Sequence, residues 1–146
     1  MKAFLINVKD QTISEVEYDG NFKSIYKLCG WDCFTTIQLN LKRDTLYVDD
    51  NGLLGDPVGW FGIAGYAQPL ANNALVLGTN GRGNSTAPTV KIDWIEKRIF
   101  WITRDPNGIW LLRRHGEKPS FRAITPFASA YLGAAKALQL KPKKGK

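Results

Sequence analysis

Two short alternating runs open the chain. Residues 3–8 (AFLINV) and 12–18 (TISEVEY) read as strands joined by a turn at Lys9-Asp10-Gln11. In the second run Ile13 shares a face with Glu15 and Glu17, while Thr12, Ser14, Val16 and Tyr18 share the other, a mixed pattern that suits a sheet edge. The period then changes. Asn21 stands where a helix cap belongs, Phe22, Ile25, Tyr26 and Cys29 follow at helical spacing, and Gly30 closes the run. Alternation resumes over 34–41 (FTTIQLNL) and 45–49 (TLYVD), with Asp50-Asn51-Gly52 as a turn. Residues 57–68 mix glycine with aromatics and predict no element. Residues 74–78 (ALVLG) form a continuous apolar run and read as a buried strand.

A polar, Gly-rich run, GTNGRGNSTAP over 78–88, divides the pattern and reads as a linker or exposed loop over 79–89. It lacks the glycine spacing and the Gly-Lys-Ser/Thr ending of a phosphate-cradling loop. Arg82, between Gly81 and Gly83, is still a candidate anion contact. Beyond it, residues 91–103 read as strand, most clearly from Arg98 to Thr103. Asp105-Pro106-Asn107-Gly108 is a strong turn signal, since Pro pre-sets the turn and Gly supplies positive φ. Residues 109–115 return as the partner strand and 121–124 make a third. Thr125 and Pro126 open a helix that places Phe127, Tyr131, Ala134, Ala135 and Leu138 on one face. Residues 141–146, rich in lysine, read as a disordered basic tail.

The expected fold class is therefore α+β: two small antiparallel β-sheet units, each with a helix, joined by the Gly-rich loop. The units are expected at 1–78 and 90–140. At 146 residues the chain fits one domain, or two small units sharing a core, and it needs no disulfide or metal staple. No apolar run approaches the roughly 20 residues of a membrane span, and the first residues lack a signal-peptide pattern, so the expected location is the cytoplasm. For a phage-encoded chain that would be the host cytoplasm.

Charge changes the picture more than composition does. The chain carries a net charge of +7, unevenly placed. Residues 1–90 hold seven Lys/Arg and nine Asp/Glu, while residues 91–146 hold thirteen Lys/Arg and four Asp/Glu, a local net of +9. That asymmetry points the C-terminal part at a polyanion, DNA or RNA. The plainer reading is solubility plus a basic tail.

Alternation across the 105–108 turn suggests how such a partner would be met. If Thr103 faces Trp110, then Phe100, Ile102, Ile109 and Leu111 form an apolar face for the Phe127–Tyr131 helix. Trp101, Thr103, Trp110, Leu112 and Arg114 form the other face. Two tryptophans beside an arginine can stack on bases. Arg113, Lys118, Arg122, Lys143 and Lys144 would reach phosphates. The competing reading is that the Trp-rich face docks on residues 1–78, because aromatics bury well and often make domain contacts.

Catalytic patterns are thin, and no enzyme activity, cofactor or metal is expected. Cys29, Cys33 and His115 are too few for a closed zinc site, and the cysteine spacing matches no redox pair. His115 has no nucleophile motif nearby. The acidic residues Asp44, Asp49, Asp50 and Asp56 miss the spacing of a calcium loop. Glu15 and Glu17 have no acid/base partner.

Residues 1–78 resemble domain of unknown function 3846, a small family of phages, plasmids and other mobile elements. The opening hairpin, the helix NFKSIYKLCG and above all TLYVDDNGLLGDP and QPLANNALVLG carry the likeness, while GWFGIAGYA departs from it. The resemblance implies a mobile-element origin and transfers no catalytic residue. Residues 98–139 are similar to three-strand-plus-helix DNA-binding domains, such as the plant ethylene-response-factor type and the arm-binding domains of phage integrases. That likeness implies a sheet entering the major groove, with Trp101, Trp110, Arg113, Arg114 and Arg122 supplying side chains. The leading expectation is thus an accessory protein that binds nucleic acid without catalysis. The alternatives are an inhibitor of a host enzyme or defence complex, whose basic surface docks an acidic patch, and a binder of small anionic nucleotides through Arg82.

Overall fold

A computed structural model describes residues 1–39, 43–51, 57, 59–64, 66, 69–104, 106–107, 110–117 and 122–123. Among these, two antiparallel sheets and two helices make an α+β fold. The first sheet contains β1 (Lys2–Asn7), β2 (Thr12–Glu17), β3 (Phe34–Gln38), β4 (Asp44–Asp49), β7 (Ala74–Thr79) and β8 (Ser85–Thr86). Its order is β2-β1-β7-β4-β3, with β8 also pairing with β7. The second sheet contains β5 (Trp60–Ile63), β6 (Leu70–Ala71), β9 (Ile99–Arg104), β10 (Trp110–Arg114) and β11 (Arg122–Ala123), in the order β11-β10-β9-β5-β6.

Helix α1 (Phe22–Cys29) forms as its sequence predicts. The Asn21 side chain accepts from the Lys23 N–H at 3.0 Å, and Gly30 ends the helix in the left-handed region at φ 86°. The helix buries Ile25 and Cys29 against Ala3, Leu75 and Leu77, on one face of the first sheet. The other face of that sheet carries Phe4, Ile6, Leu46, Val48 and Val76. These meet Phe61, Ile63, Ile99 and Trp101 of the second sheet in one core. The order is helix, sheet, sheet. Strand β7 lies in the middle layer, with Ala74 to Leu77 all 0 % exposed, which is why its sequence is apolar throughout.

The sheets do not divide the chain at the Gly-rich run. Trp60–Ile63 and Leu70–Ala71, placed with the first unit by sequence, are strands of the second sheet: Phe61 pairs with Trp101 and Ile63 with Ile99. This is the stretch whose mixed Gly/aromatic pattern predicts no element. All four residues of β5 are buried, so no solvent face imposes an alternation. The Gly-rich run itself is a hairpin rather than a linker. Gly78 pairs with Thr86 and Thr79 with Ser85, and the tip closes through Asn80 N–H to the Asn84 carbonyl at 2.9 Å.

Residues 91–103 are also not one strand. Helix α2 (Ile92–Glu96) precedes β9, and its Ile95 is fully buried in the shared core. Just before it, the buried Asp44 carboxylate accepts from Thr89 N–H at 2.7 Å and from Thr89 Oγ1 at 2.6 Å, fixing the segment that leads from the hairpin into α2. The expected C-terminal helix and the lysine tail lie outside the described residues.

Candidate nucleic-acid interface

The hairpin of β9 and β10 was expected to carry the site, and its register decides which side chains share a face. Trp110 pairs with Arg104, Leu111 with Thr103, Leu112 with Ile102, Arg113 with Trp101 and Arg114 with Phe100. The register is one residue away from a Thr103–Trp110 pairing, and a one-residue slip exchanges the faces of one strand relative to the other. Positions 101 and 110 therefore fall on opposite faces of the sheet. Leu111 belongs with Trp101 and Thr103, and Leu112 belongs with Phe100 and Ile102.

Trp101 is 0 % exposed and packs in the core between the sheets. It cannot offer a ring face to a base, and this corrects its expected role: the competing reading, in which the tryptophan docks on the rest of the chain, is the observed one. Its indole N–H donates to His115 Nδ1 at 3.0 Å, and the two rings meet edge to face at 5.6 Å. A nitrogen that accepts carries no proton, so His115 is neutral with its proton on Nε2, which faces Glu96 Oε2 at 3.8 Å. Burial lowers the His115 pKa, Glu96 opposes the shift, and Arg113 adds to it. The lone histidine is thus a partner for a buried indole and not a catalytic base.

Arg113 lies across from Trp101 and reaches over to the first sheet. Its guanidinium donates to Gln11 Oε1, in the turn between β1 and β2, and to the Glu117 carbonyl at 3.1 Å. It ties the two sheets together, which leaves it a poor phosphate ligand. Arg114 is 5.4 Å from the Phe100 ring centroid and 3.8 Å from Glu117 Oε2. Arg98 lies 3.9 Å over the Trp94 ring and donates to the Trp94 carbonyl at 3.0 Å. Lys91 and Lys97, at either end of α2, are exposed. Trp110 and Arg122 are placed in β10 and β11, but their side chains, like Lys118, Lys143 and Lys144, lie outside the described residues.

The Arg82 loop is built differently from an anion cradle. Asn80 Oδ1 accepts from the N–H groups of Arg82 (2.8 Å) and Asn84 (3.0 Å), which turn inward instead of converging on an outside ligand. The exposed Arg82 side chain alone remains for an anion.

One cleft was not foreseen. It encloses about 370 Å³ between the end of α1 and the turn before β7, lined by Asn7, Lys9, Cys29, Trp31, Asn72 and Asn73. Its polar groups serve the fold. Trp31 Nε1 donates to the Asn73 carbonyl at 2.8 Å, Asn73 Oδ1 accepts from Val8 N–H at 2.9 Å, and Asn72 Nδ2 donates to Asp49 at 2.9 Å. Burial, with Asp49 second, pushes the Cys29 thiol up to about 12, so it stays protonated and is no nucleophile. Burial and the nearby Asp50, Asp32 and Asp49 raise the Cys33 thiol as well. Among the described residues, no group of three or more His, Cys, Asp or Glu is placed to hold a metal ion, and no helix is long and apolar enough to cross a membrane. No protein-family model, curated protein or solved structure matches the chain, so the reading of the site rests on geometry and charge.

Proposed function

We propose that the chain binds nucleic acid, without catalysing a reaction, through its basic C-terminal part. The observation that carries this is the charge split: thirteen Lys/Arg against four Asp/Glu over residues 91–146, beside an acidic excess over 1–90. The likeness of residues 1–78 to a mobile-element family suggests that the setting is an accessory protein of a phage or plasmid.

The burial of Trp101 sharpens the mode of binding. With that ring inside the core, base stacking loses its principal described candidate, and contact falls to cations on phosphates. Such contacts position a duplex but carry little sequence information. Affinity should then be strongly salt-dependent, because each neutralised phosphate releases counterions. Arg113 is better left in place in a test, since its loss would disturb the junction between the sheets. The informative variant is Lys118→Gln/Lys143→Gln/Lys144→Gln. For duplex DNA, filter binding across a salt series should show the slope of log K against log salt fall by about 0.9 for each phosphate contact removed. A protein that shifts neither duplex nor single strand at low salt does not have this function. An unchanged slope in the triple variant would remove these three lysines from the interface.

A further inference from the structure

Edge strand β3 stands out from the other sheet edges. It is the last strand of the first sheet, pairing with β4 on one side, and among the described residues nothing pairs with its other side. Sheet edges are pairing templates, and proteins usually blunt them with charge, proline, bulges or brevity. The opposite edge, β2, is blunted: Glu15 and Glu17 are charged, and Glu15 pairs with Lys2 at 3.8 Å. The edges β6 and β11 are two residues long. Strand β3 is five residues, Phe34-Thr35-Thr36-Ile37-Gln38, with no charge, proline or glycine. Thr35 and Thr36 are both exposed, although they point to opposite faces.

The direction of its backbone groups follows from two hydrogen bonds. The Cys33 carbonyl accepts from Asp50 N–H at 2.9 Å, and Leu39 N–H donates to the Asp44 carbonyl at 2.8 Å. In an antiparallel pair, facing residues alternate between exchanging both backbone bonds and exchanging neither. The odd-numbered residues of β3 therefore direct their N–H and C=O toward β4. Phe34 and Thr36 direct theirs away from the sheet.

We propose that β3 is a self-pairing edge, at which two copies of the chain associate antiparallel about a twofold axis at Thr36. In this register Thr36 faces Thr36 of the second copy and exchanges both backbone bonds with it, and Phe34 faces Gln38 of the second copy. Thr35 faces Ile37 of the second copy, beside a cleft of about 130 Å³ lined by Thr35, Ile37, Val48, Tyr66 and Leu70. Charge favours the same arrangement. Asp32 and Asp50 lie at the Phe34 end of the strand, where Asp50 meets Cys33. Arg43 lies at the Gln38 end, with its guanidinium beside Gly81 of the Arg82 loop. A twofold brings each acidic end beside the other copy's basic end. The parallel alternative would set like ends together. A five-residue edge buries little surface, so the dimer is weak and concentration-dependent. This goes beyond the nucleic-acid reading and does not depend on it.

The test uses the full chain and three samples. Sedimentation velocity over a dilution series should show the wild type passing from monomer to dimer as concentration rises. Thr36→Lys and Thr36→Glu, each at an exposed position, should keep the wild-type circular dichroism and melting temperature. Each should weaken self-association by about tenfold or more, because like charges then meet at the axis. An equimolar mixture of the two variants should restore the dimer, since opposite charges now face each other. A wild type that stays monomeric throughout, or a dimer that neither substitution weakens, overturns the proposal. So does a mixture that stays as monomeric as its components, because the axis is then not at Thr36.

Discussion

A Cβ at Gly78 would lie 2.4 Å from the Ala87 carbonyl oxygen and 2.7 Å from Thr86 Oγ1. Both neighbours belong to the returning arm of the hairpin, so the missing side chain lets β8 close on β7. Gly78→Ala should destabilise the fold by about 2 kcal/mol, the usual cost of overpacking, with urea unfolding as the measurement. At His115 the consequence is a pH dependence. Its folded pKa is lowered, so above the unfolded value near ~6.5 both states are neutral. As pH falls below that value the unfolded chain takes up a proton that the folded chain resists. The contribution is thus present above the unfolded pKa and is lost progressively until pH has fallen through the folded one. A protonated Nδ1 would also set two donors against each other at the Trp101 indole. The stability advantage of the wild type over His115→Gln should shrink as pH is taken from 7 to below 6, read from parallel urea titrations at each pH. An advantage that grew on acidification would contradict the lowered pKa.

Elements were legible in proportion to how one-sided their surroundings are. The β1–β2 hairpin, α1 with its Asn21 and Gly30 caps, and the strand at 74–78 all follow from local pattern. Strand β5 did not, because both its faces are buried and one of its four residues is Gly62. Helix α2 did not, because five residues rich in isoleucine and tryptophan show too little period to separate helix from strand. The candidate site fared worst, for one reason: a five-residue connection between Arg104 and Trp110 sets the pairing, and no turn residue announces its length. The residues expected to reach outward as a group, Trp101 and Arg113, instead face the first sheet. The link from Arg113 to Gln11 can be measured. In a double-mutant cycle of Arg113→Ala and Gln11→Ala, the two substitutions should couple by about 1 kcal/mol or more, where independent surface positions would simply add.

At the scale of the molecule, the threading of 60–71 into the second sheet makes the halves interdependent. Phe61, Ile63 and Leu70 share one core with Phe4, Val76 and Trp101. Unfolding should be a single transition, coincident by tryptophan fluorescence and far-ultraviolet circular dichroism. Residues 1–78 alone should lack a cooperative melt, because β5 would lose β9. Two resolved transitions would show that the halves fold separately. Self-pairing at β3 would also place two basic segments on one assembly, raising avidity for a long polyanion without any new contact.

Strand β7 carries a further consequence. Its backbone is bonded to β1 on one side and β4 on the other, and both of its faces are covered. No local opening frees it without breaking the sheet in two. In deuterated solvent the amides of Leu75 and Val76 should therefore be among the last protons to leave, exchanging only when the entire chain opens, so that their lifetimes report global stability. The amide of Thr36, turned outward on the free edge, should be among the first to go in dilute solution.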